Sequence, residues 1–150
     1  MRAVVQRVAK ASVTVEGAVT GTIDRGLLVL VGVAADDTPD DIAWLAGKIA
    51  GQKLFPDQSW RINLSVTESG GGLLVVSQFT LLASTRKGTK PSWHRAAAPD
   101  VAVPLYEEFL RAMETATGRP VATGKFGATM EVSLVNDGPV TLVLDSRLRE

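Results

Sequence analysis

The chain has 150 residues, 45% of them hydrophobic, and 16 basic against 16 acidic side chains give a formal net charge of zero. That length and apolar share suffice for one packed domain and exclude intrinsic disorder, while the neutral balance argues against broad, non-specific nucleic-acid binding without excluding local recognition of an RNA end. With no cysteine and one histidine, His94, disulfides, thiolate nucleophiles and zinc-thiolate sites are excluded, and any triad or histidine metal site has a single imidazole to draw on.

In chain order, residues 2–15 read as a strand, with Val13 and Val15 alternating with Ser12 and Thr14. Arg7 interrupts this segment too early for a signal-peptide core. Val19 to Ile23 is expected to pair back through a turn at Glu16-Gly17. Leu27 to Val33 is a continuous apolar run, the pattern of a strand buried on both faces. The longest apolar run, Leu27 to Ala35, is strand-sized, so no membrane span and a soluble, cytoplasmic protein are expected. A helix follows. Thr38 suits the N-cap, Pro39 the first helical position, and Asp40 and Asp41 the positive end of the dipole. Ile42, Leu45 and Ile49 form its apolar stripe, and its end is expected between Gly51 and Leu54. The acidic group Asp36, Asp37, Asp40 and Asp41 invites a metal reading, but helix capping accounts for most of it. No metal and no cofactor are expected.

Residues 60–67 and 73–79 read as a hairpin around Ser69-Gly70-Gly71-Gly72. A phosphate loop would need a Lys-Ser/Thr pair and a helix immediately after the glycines, and a strand is expected there instead. Val101 to Thr117 reads as a second helix, with Leu105, Phe109, Met113 and Ala116 on one face and Gly118 and Pro120 ending it. Three short strands, about 121–124, 129–135 and 140–145, close the chain. The expected architecture is a single mixed α/β domain over residues 1–150. It is a layered β/β/α, barrel-like arrangement with two main helices: two strands, two strand-helix units, then three strands.

Two segments carry chemistry. Ser77-Gln78-Phe79-Thr80-Leu81 follows the apolar run Leu73 to Val76, so polar side chains stand where a buried strand ends. The plain alternative is a fraying strand end whose Ser77 and Thr80 bond nearby backbone. From Ser77 to Ala98 there is no Asp or Glu, yet the stretch holds Arg86, Lys87, Lys90, His94 and Arg95. A locally basic loop in a neutral protein is a candidate phosphate contact. Trp93 offers a base-stacking surface, with burial in the core an equal alternative. The second segment, Asn136-Asp137-Gly138-Pro139-Val140-Thr141, reads as a turn between alternating strands that could hold a cis proline bond. A cis Gly138-Pro139 would turn two neighbouring carbonyls to one side, an acceptor pair for an ammonium group.

Together these segments resemble the signature of the D-aminoacyl-tRNA deacylase family, which carries a Ser-Gln-Phe-Thr motif and a Gly-Pro motif. Here these stand as Ser77-Gln78-Phe79-Thr80 and Gly138-Pro139. Met1 to Val8, Asn63-Leu64-Ser65, Lys87-Gly88 through Pro91-Ser92, and Phe126-Gly127-Ala128 to Asp145-Ser146 extend the resemblance over essentially the whole chain. Trp93 stands where phenylalanine is expected, and the Gly70-Gly71-Gly72 turn is richer in glycine; neither touches the motifs. The resemblance implies a homodimer that hydrolyses the ester of D-aminoacyl-tRNA and of glycyl-tRNA mischarged on tRNA(Ala), without cofactor. It implies catalytic roles for Ser77, Gln78, Phe79 and Thr80, and a chiral filter made by Gly138 and Pro139 of the partner subunit. Arg86, Lys87 and Lys90 are then the expected tRNA contacts.

Overall fold

The computed structural model describes residues 1–150. β1 (Arg2–Val15) and β2 (Ala18–Ile23) form the expected antiparallel pair, and β3 (Gly26–Gly32) returns antiparallel to the first half of β1. α1 (Pro39–Gly51) starts as its sequence signals dictate. The Asp41 carboxylate accepts from both the Thr38 N–H (2.9 Å) and the Thr38 hydroxyl (2.8 Å), and Pro39 fills the first helical position, where no N–H is needed. The rest of the acidic group is also occupied. Asp37 accepts from the Met1 α-ammonium, Asp36 pairs with Arg147 and Asp40 with Arg149, so these carboxylates tie both ends of the chain to the helix start.

The next segment departs from the expected hairpin. β4 (Phe55–Pro56) and β5 (Ile62–Leu64) pair with each other, while β6 (Gly72–Ser77) lies parallel to β3. Between β5 and β6, Ser65 and Glu68 exchange hydrogen bonds: Ser65 N–H donates to the Glu68 carboxylate at 2.7 Å, and Glu68 N–H to the Ser65 hydroxyl at 3.2 Å. That local pair curls the chain before a hairpin ladder can form. The parallel pairing starts on two facing glycines. A Cβ on Gly26 would sit 2.0 Å from the Gly72 carbonyl oxygen, so the glycine-rich stretch serves close backbone approach as well as turning.

α2 (Pro99–Thr117) begins two residues earlier than its apolar periodicity implies, because Pro99 opens it, and it closes on Gly118 at φ 66°. β7 (Ala122–Thr123) adds to β6 in parallel. The two final alternating segments are one strand, β8 (Glu131–Asp145), antiparallel to β1 along nearly its whole length. Asn136 to Thr141 is therefore not a hairpin turn. Between the pairs Gln6↔Thr141 and Val8↔Asn136, β1 advances two residues while β8 spans five, so three extra residues of β8 bulge from the ladder.

The sheet runs β2-β1-β3-β6-β7, with β8 on β1's other side. One face packs on the helices, where Val29, Val31, Val75, Leu45, Ile49 and Phe109 are buried together. The other face, with Val13, Leu28, Leu74 and Val76, closes a second apolar layer under β2 and the start of β8. This is the layered, barrel-like mixed α/β arrangement expected. β8 has β1 on one side and no strand on the other, and Leu134, Val135 and Val143 are exposed on it.

Candidate functional site

The site forms where the parallel strands β3 and β6 end. Gln78 N–H makes the last ladder bond, 2.7 Å to the Val31 carbonyl. The chain then winds into a single 3-10 turn, Phe79–Leu82, correcting the expectation that the strand runs on to residue 79. Gly32 permits this turn: a Cβ there would meet the Leu82 side chain at 2.5 Å and the Gln78 carbonyl at 2.9 Å. Arg2 fixes the far end, donating at 2.8 Å to the Leu81 carbonyl while its guanidinium pairs with Asp145 at 2.9 Å. The first i→i−3 bond of the turn runs from Leu81 N–H to the Gln78 carbonyl. The N–H groups of Phe79 and Thr80 precede it, so neither has a partner within the turn.

Ser77, Gln78 and Phe79 form one wall of a cavity of about 600 Å³, with Ser77 and Gln78 its polar side chains. Its other walls are apolar, with Val33, Trp93, Ala102, Phe126 and Met130 among them. Such a volume and lining suit a small organic group or a nucleoside with its substituent. Phe79 is half exposed and meets Trp93 edge-on, centroids 5.4 Å apart. Trp93 is therefore a rim residue and not part of the core. Thr80 does not line the cavity; its hydroxyl accepts a hydrogen bond from the Gln78 amide. Behind the cavity, Tyr106 donates at 3.1 Å to the Val75 carbonyl, and burial pushes its phenol up to about 12, so it braces the wall and exchanges no proton near neutrality.

The basic loop makes a second, separate depression. Ser84, Arg86, Lys87, Lys90, Ser92, His94 and Arg95 line about 600 Å³ with no carboxylate among them. His94 is here, its Nδ1 2.8 Å from the Ser92 hydroxyl, and it makes no hydrogen bond to Thr80. A histidine-activated threonine therefore finds no support in this geometry.

Gly138 and Pro139 are not brought to the cavity of their own chain. They sit exposed on the β8 bulge, and the bond between them is cis. The bulge is held from beneath by Arg7, a residue that sequence reasoning passed over. Its side chain, 10% exposed, donates to the Asp137 carbonyl at 3.0 Å and the Leu54 carbonyl at 2.6 Å, and lies 3.2 Å from the Asp137 carboxylate. The signal was readable: Ala3, Val5 and Arg7 share one face of an alternating strand, and a charge on a core-facing position needs a partner. Arg25, by contrast, lies over the Phe55 ring in a third depression beside Asp137.

Residues 4–145 match the model of a family described as D-Tyr-tRNA(Tyr) deacylase. The chain is 64% identical over its full length, and the full length of the relative, to a D-aminoacyl-tRNA deacylase of Opitutus terrae. It is 53% identical, again end to end, to one of Flavobacterium johnsoniae. A solved structure titled c-Myc DNA Unwinding Element Binding Protein superposes with a TM-score of 0.91 at 41% identity, covering 97% of this chain and 98% of that one. A second, a probable eukaryotic D-amino acid tRNA deacylase, reaches 0.81 at 21% identity over 95% and 97%, a likeness of fold. No helix is long and apolar enough to cross a membrane. The chain thus belongs to the D-Tyr-tRNA(Tyr) deacylase family, hydrolases of the ester between an aminoacyl group and tRNA.

Proposed function

We propose that this hydrolase releases D-amino acids from D-aminoacyl-tRNA, and glycine from glycyl-tRNA mischarged on tRNA(Ala), as a cytoplasmic homodimer that proofreads chirality by excluding L-amino acids. The observation that carries the reading is the split between receptacle and motif. The Ser77-Gln78-Phe79 cavity lacks Gly138 and Pro139, while these project from an edge strand with exposed Leu134, Val135 and Val143. A long apolar edge fits a second copy of the chain. Each bulge would then enter its partner's cavity, where the Gly138 and Pro139 carbonyls take the substrate ammonium and crowd out an L side chain. A steric wall cannot reject a smaller group, which is why glycine passes.

The ester is activated, so modest catalysis suffices. The free N–H groups of Phe79 and Thr80 are the donors for the oxyanion, each such donor typically worth about 3–4 kcal/mol. Gln78, locked on Thr80, orients the ester or its water, Ser77 lines the floor beside them, and the terminal ribose 2′-hydroxyl supplies the hydroxyl chemistry. Arg86, Lys87 and Lys90 meet the acceptor-end phosphates. Lys87→Ala and Lys90→Ala are expected to raise KM for charged tRNA and flatten its salt dependence; an unchanged salt slope removes them from the interface.

The deciding experiment follows ester loss from matched tRNA carrying D-tyrosine, L-tyrosine or glycine. Release of D-tyrosine and glycine with L-tyrosine spared is the expected result. Equal release of both enantiomers keeps the esterase and discards the filter. No release by folded protein discards the catalytic reading.

A further inference from the structure

We propose that the depression walled by residues 84–95 is a seat for a single phosphate, the 5′-phosphate of the terminal nucleotide whose ribose carries the aminoacyl ester. The proposal rests on the deacylase reading above and assigns one part of that substrate to one place.

Four observations carry it. Arg86, Lys87, Lys90 and Arg95 surround one depression, and none of them forms an ion pair within the chain. Arg2, Arg7, Lys53, Arg147 and Arg149 are paired with carboxylates, and the unpaired Arg25 shares its depression with Asp57 and Asp137, whereas no carboxylate lines this one. Like charges gathered around a void repel unless an anion fills it. The depression is also built and not merely a loose loop. Ser84 and Ser92 exchange two backbone hydrogen bonds of 2.9 Å, Gly88 turns the tip at φ 64°, and Arg95 donates to the Ala83 carbonyl at 3.3 Å. The Ser84 hydroxyl and one donor of the hydrogen-bonded Ser92–His94 pair add short-range contacts suited to phosphate oxygens.

The fourth observation sets which phosphate is meant. Trp93 lines the aminoacyl cavity, while its chain neighbours Ser92 and His94 line the basic depression. One stretch of backbone is thus a party wall, with the ester on one side and the anion on the other. Among the phosphates of an acceptor end, the one on the esterified nucleotide itself is nearest to the ester. Upstream phosphates lie progressively farther along the strand. The segment is anchored to the sheet just beyond, where Ala97 N–H donates to the Val33 carbonyl at 2.9 Å, so the wall is positioned by β3.

The test compares two minimal substrates: adenosine carrying D-tyrosine on its ribose, with and without a 5′-phosphate. The readout is the ratio of their kcat/KM values, which cancels any difference in the folded fraction between proteins. In the unaltered protein the phosphate is expected to raise kcat/KM at least about tenfold, mostly through KM, as charge-assisted contacts to an anion do. In Arg86→Gln/Lys90→Gln the ratio is expected to fall toward one, and in Arg95→Gln part of the way. A ratio near one in the unaltered protein, with D-tyrosyl-tRNA still hydrolysed, overturns the seat and leaves the deacylase reading intact. A full ratio surviving in the variants also overturns it. Failure to hydrolyse any of the three esters overturns the deacylase reading, and the seat falls with it.

Discussion

The Ser77–Leu82 segment and the Asp137–Val140 bulge both leave a β-ladder, but only the first replaces the lost ladder with backbone bonds of its own. The first winds on its own i→i−3 bonds, admitted by the bare Cα of Gly32, and Arg2 only grips its far end at the Leu81 carbonyl. The second makes no such turn; a guanidinium from the other end of the chain, Arg7, holds the Asp137 carbonyl and spans to Leu54. One segment is a concave wall, the other a convex projection. A concave wall can draw most of its rigidity from local bonds. A projection stripped of its ladder has none to spare and must be supported from below.

The largest expected effect comes from removing that support. Arg7→Ala leaves the Leu54 and Asp137 carbonyls without their donor, and truncating one partner of a buried charged contact costs about 3 kcal/mol or more. The loss is expected in the denaturant midpoint. D-aminoacyl-tRNA hydrolysis by the remaining folded protein is expected to drop about a hundredfold if, as proposed, the projection positions the substrate. Arg7→Lys is not expected to rescue it, since one ammonium cannot replace the two-sided fork. Unchanged turnover in Arg7→Ala would erase the contrast between the two segments. Thr80→Ala strikes the other segment and is expected to be milder, about tenfold in kcat, with stability little altered, since the turn's backbone bonds remain. A fall of many orders of magnitude in that variant would move the chemistry from the backbone to the hydroxyl.

The smallest effect concerns acid. Burial raises the Asp145 carboxyl, but hydrogen bonds from Arg147 N–H and the Arg2 guanidinium outweigh it and hold the group below its ordinary range. The same Arg2 grips the Leu81 carbonyl. A carboxylate depressed in the folded state adds stability above the pH at which it titrates when unfolded, and that share is lost as pH falls below about 4. Denaturation curves against pH are expected to show this decline, and Asp145→Asn to flatten part of it. If the variant keeps the full slope, the Arg2 link contributes nothing to the turn.

What was legible in the sequence divides along the same line. Thr38-Pro39 announced α1 to the residue, because capping is settled within four residues. Ser77-Gln78-Phe79 could be placed at a strand end from the apolar run before it, and all three line the cavity. The alternation around residues 131–145 was readable, but its continuity was not, since a bulge exists only against the register of β1. The hairpin at 60–79 failed for a related reason. Nothing near Gly72 says that its partner is Gly26, forty-odd residues upstream, and not the strand just before it. Arg7 lay in plain view on a core-facing position, but its acceptors at 54 and 137 could not be inferred from its neighbours.

The pairing of β1 with β8 also governs the order in which the molecule can be made. Arg2 and Asp145, ion-paired and opposite each other in the ladder, are 143 residues apart in sequence. On a ribosome, β1, β2 and β3 can zip together early, yet β1 keeps one open edge until nearly the whole chain has emerged. Contacts of such separation slow folding, and an open apolar edge invites mispairing with another nascent chain. The strand that covers this edge of β1 is also the one that carries Gly138 and Pro139, so the projection is among the last parts of the molecule to be built.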